Sequence, residues 1–207
     1  MERSPRSIRV VSDWRLASHI VSSVMGEYHG YYAGWAAEHC GGGLVALADG
    51  RPAGSVVYYT VETPHARIGV VYYVAVLPRY RGLGLGRILV ASAEEVMDGS
   101  DIYVATTSES NVASRKLFHS MGYRVESWDS LERRLGPAPL EALEMAACAY
   151  EDDIVMYKEV TPGALSHIGA GDLRAARDAW DGVCLKPYLL RRRQARRRLR
   201  LAAWPLA

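Results

Sequence analysis

The sequence predicts an α/β fold with a mixed central sheet, and three observations support this. Short segments rich in β-branched and aromatic residues alternate with segments whose apolar residues recur at helical spacing. Early in the chain, two strand-like segments flank DGRPAG at residues 49–54, a sequence typical of a hairpin turn. The later strands are separated by helices, an order that produces parallel pairing. We therefore expect a partly parallel, partly antiparallel sheet flanked by helices.

The first half of the chain predicts a helical pair and an antiparallel hairpin. Trp14, Leu16 and Ile20 follow helical spacing, and Ser12 or Asp13 can cap that helix. We expect residues 26–30 to interrupt the helical region and the glycines at 41–43 to stop the second helix. The predicted elements are a strand at 7–11, helices at 13–25 and 31–40, and strands at 44–48, 55–61 and 65–76.

The second half predicts alternating helices and strands. In this half, a glycine follows each of the first two predicted helices, Gly99 after the helix at 84–97 and Gly122 after the helix at 111–121, as is common at helix ends. The predicted elements are helices at 84–97 and 111–121, strands at 101–106 and 123–128, a helix at 140–149, a strand at 153–160, and helices at 173–180 and 187–203. The last two helices belong to no sheet pattern. We therefore predict a domain at residues 1–160 and a helical, Arg-rich extension at 161–207.

The charges of the chain are unevenly distributed. The formal net charge is +2, yet residues 186–207 contain Lys186 and seven arginines without an acid, so the rest of the chain is acidic. Such a split indicates an interaction tail. We favour a helix docked through Leu189, Leu190, Leu199, Leu201 and Trp204 on the acidic body or on a second subunit of a homodimer. Contact with nucleic acid is the less favoured alternative.

Cysteine content and hydropathy indicate the cellular compartment in which the protein is expected. Cys40, Cys148 and Cys184 are odd in number and widely spaced, and the chain has neither a CxxC pair nor HExxH. We therefore expect neither disulfides nor a zinc site. No run of about 18 apolar residues predicts a membrane span, and the first residues lack the apolar core of a signal peptide. Together these observations favour the cytoplasm.

The chemistry is concentrated where a predicted strand meets a predicted helix. Residues 74–87, VAVLPRYRGLGLGR, place a glycine-rich turn after a strand and before a helix. Free backbone amides and the positive end of a helix dipole then form a cradle suited to a pyrophosphate. Arg81 and Arg87 can add positive charge. The spacing matches neither the Walker pattern nor the GxGxxG dinucleotide fingerprint.

Two motifs resemble a known family. RGLGLG at residues 81–86 resembles the [QR]-x-x-G-x-[GA] signature of the GNAT superfamily of N-acetyltransferases, and the strand before it ends as the family's does. NVASRKLFHSMGY at 111–123 resembles the family's N-x-x-[AS]-x-x-L-[YF]-x-x-x-G-[FY] helix and following strand. The two motifs have the family's order and separation. The resemblance covers residues 7–160 and implies a sheet that splays at its centre.

The resemblance implies a place for acetyl-CoA. The cofactor would lie in a V-shaped gap between the strand ending at Val76 and the strand ending at Thr106, with no metal involved. Backbone groups before Val76 would pair with the pantetheine arm, and the glycine turn would hold the pyrophosphate. Asn111 would lie near the pantetheine, would cap its helix, or both. The implied cofactor-binding residues are Val74, Ala75, Val76, Arg81, Gly82, Leu83, Gly84, Leu85, Gly86, Arg87, Asn111 and Phe118.

The chain departs from the family at the catalytic positions. Where many relatives have a Tyr that protonates the leaving thiolate, the chain has Phe118. Where amino-terminal acetylating relatives have a Glu, it has Thr106, and the strand position that holds an acid or His in others is occupied by Val70 and Tyr72. Tyr72 and Tyr73 are the candidate catalytic residues, with packing in a strand as the alternative.

An aromatic cluster predicts the acceptor side. The candidate substrate-binding residues are Glu27, Tyr28, Tyr31 and Tyr32, with His29 and Trp35 beside them. The alternative is a half-buried core. The implied function is acetyl transfer to a primary amine of a protein N-terminus, a lysine or a small molecule, by direct attack in a ternary complex. The second hypothesis is a catalytically weak CoA-binding sensor or scaffold whose basic tail binds a partner.

Overall fold

Seven strands and nine α-helices form the described part of the chain. This computed structural model describes residues 5, 7–149 and 151–202, with side chains up to residue 195. The strands are β1 (Ile8–Ser12), β2 (Gly41–Ala48), β3 (Arg51–Glu62), β4 (Arg67–Val76), β5 (Ile102–Thr107), β6 (Arg124–Ser127) and β7 (Ile154–Glu159). The helices are α1 (Trp14–Met25), α2 (Glu27–His39), α3 (Leu85–Val96), α4 (Val112–His119), α5 (Trp128–Leu135), α6 (Pro137–Ala147), α7 (Ala164–His167), α8 (Leu173–Trp180) and α9 (Lys186–Ala202). None of these helices is both long and apolar enough to cross a bilayer.

The strands form one mixed sheet, which confirms the predicted fold class. The strand order is β1-β2-β3-β4-β5-β7-β6. The neighbours from β1 to β4 pair antiparallel, β4 pairs parallel with β5, and β7 pairs antiparallel with both β5 and β6. The single parallel pair lies at the centre of the sheet. Helix α3 connects its two strands, as parallel pairing requires a crossover.

Helices cover both faces of the sheet and enclose two apolar cores. One core joins α1, α2, α6 and α8 to the sheet and includes Val21, Val57 and Leu143. The other joins α3 and α4 to the opposite face and includes Leu89 and Phe118. Alternating strand residues supply the two cores, because successive side chains of a strand point to opposite faces.

The prediction that residues 26–30 interrupt the helices was wrong in its extent. Gly26 alone turns the chain, with φ +98°, and α2 begins at Glu27. Gly30 is instead the point of close approach between α1 and α2, where a Cβ would overlap Ser22. The second helix ends at His39, just before the glycines at 41–43 as predicted, but these glycines belong to β2, because Gly41 starts this strand and pairs with Tyr59.

The strand predicted to run to residue 128 ends one residue earlier, and an unpredicted helix follows. Ser127 accepts a hydrogen bond from the Ser130 amide through its side chain and caps α5. Trp128 is buried and donates through Nε1 to the Asp152 carbonyl at 3.0 Å. The helix forms because this cap and this buried aromatic outweigh the strand propensity of the preceding residues.

The residues that follow β7 pack on the sheet and on its helices. Ala164, Leu165 and Ala176 belong to the same core as α1 and α2. Asp172 is fully buried and accepts hydrogen bonds from the backbone amide and the ring of His65. These residues are therefore part of the packed structure. A division of the chain at residue 160 stays a prediction.

The start of α9 and the segment before it contact α2 through residues that the sequence analysis did not name, while the predicted Leu190 is half-buried. Tyr31 donates to the Pro187 carbonyl at 3.0 Å, and Trp35 donates to the Gly182 carbonyl at 2.8 Å. The Arg191 guanidinium lies 4.7 Å from the centroid of the Tyr28 ring. Leu189, by contrast, is exposed. The predicted contacts of Leu199, Leu201 and Trp204 lie outside the described side chains.

The prediction that the chain has no disulfide was wrong for two of its cysteines. Cys148 at the end of α6 is bonded to Cys184, with their Cα atoms 5.8 Å apart. Cys184 lies in the π-helical segment Asp181–Leu185 that precedes α9. Spacing could not reveal this pair, because it depends on how α6 and the segment before α9 meet on the folded body. Cys40 is a free thiol.

Candidate active site

Strands β4 and β5 separate at the centre of the sheet. They pair only between Ile68–Val70 and Ile102–Val104. Beyond this point β4 continues to Val76 along β3, while β5 continues along β7. The predicted gap between the two strand ends is therefore present, bounded by backbone groups that have lost their partners across it.

A β-bulge in β4 explains the separation. Tyr58 pairs with Val71 and Val57 pairs with Tyr73, so Tyr72 is the extra residue. A bulge bends its strand and increases its twist. It also disturbs the alternation of side chains, so that both Tyr72 and Tyr73 pack on the core that contains α2. The sequence alone predicted neither the bulge nor this shared face.

The two tyrosines have different partners. Their rings are 4.5 Å apart. The Tyr72 hydroxyl lies 3.4 Å from Cys148 Sγ, whereas the Tyr73 hydroxyl lies 3.5 Å from His29 Nδ1. Burial raises the pKa of both tyrosines above the ordinary value. Both phenols therefore stay protonated near neutral pH and can donate a proton or a hydrogen bond.

The glycine turn has the geometry of an anion cradle. Gly82 and Gly84 have φ +79° and +76°, and a Cβ at either position would meet nothing within 4 Å. Among the described residues, no backbone acceptor is found for the amides of residues 82–86, which lead into α3. A helix N-terminus with free amides favours an anion. The turn therefore fits a phosphate group that approaches from the open side.

Two arginines flank this turn and are exposed. Arg81 Nε donates to the Val76 carbonyl at 3.3 Å, and Arg87 Nε donates to Ser120 Oγ at 3.1 Å. The contact of Arg87 joins the start of α3 to the end of α4. Both guanidinium groups keep further N–H donors that could reach a phosphate.

The second motif forms helix α4, whose cap is Asn111. Its side chain accepts from the Ser114 amide at 3.2 Å and donates to Thr107 Oγ1 at 3.0 Å. Phe118 is 3% exposed, and its ring packs edge-on against Tyr123. The cap role of Asn111 is thus observed, while contact of either residue with a cofactor stays a prediction.

The predicted acceptor residues divide into exposed and buried members. Glu27 and Tyr28 are exposed at the start of α2, whereas Tyr32 is buried. The Tyr31 hydroxyl is bound to the Pro187 carbonyl. Of this group, Tyr28 is the aromatic residue that borders both α9 and the His29 ring, which lies 5.5 Å away. An acceptor role for these residues stays a prediction.

The sequence analysis missed Asp152. This residue lies just before β7 and is half-buried. Its Oδ2 accepts a hydrogen bond from Thr106 Oγ1 at 2.5 Å, which places a carboxylate beside the end of β5. In the sequence, Asp152 stands in the acidic run of residues 151–153 between a helix and a strand, and such a run usually indicates a solvated loop.

The described side chains contain no group of three or more His, Cys, Asp or Glu residues that could hold a metal ion. The polar side-chain groups described above include the phenols of Tyr72 and Tyr73, the His29 imidazole and the Asp152 carboxylate.

The family model described as "Acetyltransferase (GNAT) family" matches residues 9–123, more than half of the chain. The chain belongs to the GNAT family of acetyltransferases. The matched residues include the bulged strand, the glycine turn and α4. Acetyl-CoA is the acetyl donor of this family. Among curated proteins, none matches the chain closely enough to count as a relative.

Solved structures share the fold at low sequence identity. A Bacillus subtilis acetyltransferase in complex with CoA has a TM-score of 0.54 and 17% identity, over 74% of this chain and 99% of that one. The PaiA N-acetyltransferase of Thermoplasma acidophilum in complex with coenzyme A has a TM-score of 0.51 and 14% identity, over 74% and 99%. A GNAT-family acetyltransferase of Desulfovibrio desulfuricans has a TM-score of 0.52 and 19% identity, over 74% and 99%.

Proposed function

We propose that the chain transfers the acetyl group of acetyl-CoA to a primary amine by direct attack in a ternary complex. This proposal depends on one observation, which is that two features occur together at the same end of the central strands. Strands β4 and β5 separate beyond Val70 and Val104, and the open amides of the glycine turn follow directly from β4. A separated strand offers backbone groups to a pantetheine arm, and the turn offers amides to its pyrophosphate.

The proposed binding mode assigns the cofactor residues of this chain. Backbone groups of Val74, Ala75 and Val76 pair with the pantetheine arm, and residues 82–87 hold the pyrophosphate. Thioester aminolysis develops negative charge on the carbonyl oxygen, which a backbone amide near Val74 stabilises. Proton donation to the leaving thiolate is assigned to Tyr73, because its phenol stays protonated and because it lies in β4 beyond Val70, where the two strands separate.

The acceptor enters from the side of α2. Tyr28 and His29 lie there beside Tyr73. The structures that share the fold include complexes with CoA, which support the donor assignment but carry no information about the amine. We keep a protein N-terminus, a lysine and a small amine as acceptor classes.

An assay of CoA release tests the function. The full chain is mixed with acetyl-CoA and a panel of small amines, lysine-containing peptides and peptides with free N-termini, and the free thiol is measured. We expect release that depends on at least one amine, with the acetylated product confirmed by mass spectrometry. CoA binding without release for every amine would contradict the transferase and favour the sensor or scaffold.

A further inference from the structure

The structure brings a carboxylate to the end of β5 from a neighbouring strand. Val155 of β7 pairs with Thr106 of β5 in antiparallel register, so the residues just before β7 lie beside the end of β5. Thr106 Oγ1 donates to Asp152 Oδ2 at 2.5 Å. The Trp128 indole holds the backbone of the same residue through its carbonyl. Asp152 is therefore held through both its side-chain carboxylate and its main-chain carbonyl.

This carboxylate lies where β4 and β5 have already separated. Thr106 is two residues beyond Val104, the last residue of β5 that pairs with β4. On β4, Tyr73 likewise lies beyond Val70, and its hydroxyl is 3.5 Å from His29 Nδ1 of α2. Besides burial, which is the main cause at both sites, Asp152 raises the pKa of the Tyr73 phenol and His29 lowers the pKa of the Asp152 carboxyl.

Asp152 forms no ion pair among the described side chains. The ion pairs of the structure involve other acids, and the nearest charged neighbours on its own loop are the acids Glu151 and Asp153. A half-buried carboxylate without a counter-ion is costly unless a cation or a further donor reaches it. An ammonium group at the mouth of the gap supplies both.

We propose that Asp152 is the catalytic base of this chain, the carboxylate that receives the proton of the acceptor amine. The inference rests on the proposed function and names a residue that the two sequence motifs do not contain. Thr106 orients the carboxylate by its hydrogen bond.

The proposed acetyl transfer conserves protons and electron pairs. The ammonium group gives one proton to Asp152, which releases it to solvent, and the nitrogen lone pair attacks the thioester carbon. The C–N bond forms, the tetrahedral intermediate collapses and the C–S bond breaks. The nitrogen gives its second proton to solvent as the amide forms, the CoA thiolate takes a proton from Tyr73, and solvent returns a proton to Tyr73. The products are the acetamide, CoA thiol and one proton.

The pH dependence follows from the surroundings of Asp152. Burial raises the pKa of Asp152 above the ordinary range, the Thr106 hydrogen bond lowers it, Glu151 and Asp153 raise it, and His29 lowers it. The base works only when it is ionised. Activity should therefore fall as the pH drops through the raised pKa of Asp152, and this acidic limb should disappear when the carboxylate is removed.

Three variants of the full chain test whether Asp152 is the catalytic base. Asp152→Asn removes the charge at constant size, and Asp153→Asn is the matched control, because Asp153 is exposed and accepts from the Glu109 amide. The third variant combines Asp152→Asn with Thr106→Glu, which supplies a carboxylate from the residue that touches Asp152. The readouts are kcat/KM against pH with the best amine of the panel and CoA affinity by calorimetry.

We expect Asp152→Asn to lower kcat/KM by about 10²- to 10⁴-fold, the range of general base catalysis, with CoA affinity within about twofold of the wild type. Asp153→Asn should keep the activity at neutral pH and keep the acidic limb, moved to lower pH because Asp153 no longer raises the pKa of Asp152. The double variant should recover at least about tenfold. An Asp152→Asn variant that binds CoA and keeps its rate overturns the base while the transferase stands. A wild type that binds CoA and acetylates no amine overturns both.

Discussion

The proposed donor side and the proposed acceptor side of the central gap, called the donor side and the acceptor side below, are built differently. The donor side is formed by contiguous residues, the end of β4 and the glycine turn that leads into α3. The acceptor side is assembled from α2, the bulge of β4, the end of β5, the loop before β7 and the start of α9. A contiguous segment can be recognised from its spacing, whereas a surface assembled from five segments cannot. Changes on the two sides should therefore have separable effects.

The largest effect is expected at Gly84. Gly84→Asp places a side chain and a negative charge in the open space of the turn, at φ +76° where L residues are strained. We expect CoA affinity to fall at least about 100-fold, because like charge then faces the pyrophosphate. The measurement is calorimetry with CoA.

Gly50→Asp is the matched control for this change. Gly50 has the same φ of +76° and the same open surroundings, but it lies in the β2–β3 hairpin turn. Its variant should bind CoA like the wild type. Equal CoA affinity of Gly84→Asp and the wild type would show that the turn does not bind CoA.

The next effect concerns the proton for the leaving thiolate. Tyr73→Phe removes the hydroxyl that borders the gap and should slow turnover by about 10²-fold. Tyr72→Phe should be nearly neutral, because that hydroxyl lies against Cys148. Phe118→Tyr should also change the rate little, because the ring is buried against Tyr123.

Steady-state rates of these three variants near pH 7.5 check the assignment, since the thiol pKa is about 8.5. A faster Phe118→Tyr enzyme would show instead that the chain lacks its own donor and that the helix position can supply one. Rates unchanged in all three variants would leave water as the proton source.

The disulfide stabilises the acceptor side of the molecule. It closes a loop with a sequence separation of 36, for which the chain-entropy model gives about 3–4 kcal/mol. We expect Cys148→Ser to lower the free energy of unfolding by about 2–4 kcal/mol, measured by urea denaturation without reductant. Cys40→Ser is the control and should change the stability much less, and equal losses would argue against the pair.

A smaller loss of stability is expected where α1 and α2 cross. Gly30→Ala places a Cβ against Ser22 and should destabilise the fold by about 1–3 kcal/mol. Gly34→Ala lies on the same helix with only ordinary contact to Ser18, and should be neutral or slightly stabilising because alanine favours helices. Thermal unfolding compares the two. A more stable Gly30→Ala variant would show that α2 can move away from α1.

The smallest effect is expected on the donor side when α9 is removed. Truncation of residues 186–207 leaves the glycine turn and the bulge intact, since the described contacts of α9 are with α2 and the segment before it. We expect CoA affinity to stay within about twofold. Loss of CoA binding would contradict the idea that the extension lies outside the acetyl-transfer fold.

The sequence by itself determined the mixed fold and the donor motif. Strand and helix periods follow from local residue order, and the glycine turn needs only adjacent residues to place its amides. The helix at Leu173–Trp180 agrees with its predicted range for the same reason. One limit of prediction appears at α5, where one cap and one buried tryptophan decide the outcome.

Only the tertiary structure decided the acceptor side. The bulge at Tyr72 is a property of two paired strands, and it brings Tyr72 and Tyr73 to one face. Asp152 reaches Thr106 because β7 returns antiparallel beside β5, although the two residues are 46 positions apart. The bond between Cys148 and Cys184 likewise depends on where α6 ends. Contacts between distant segments are set by packing and strand register, which spacing along the chain does not encode.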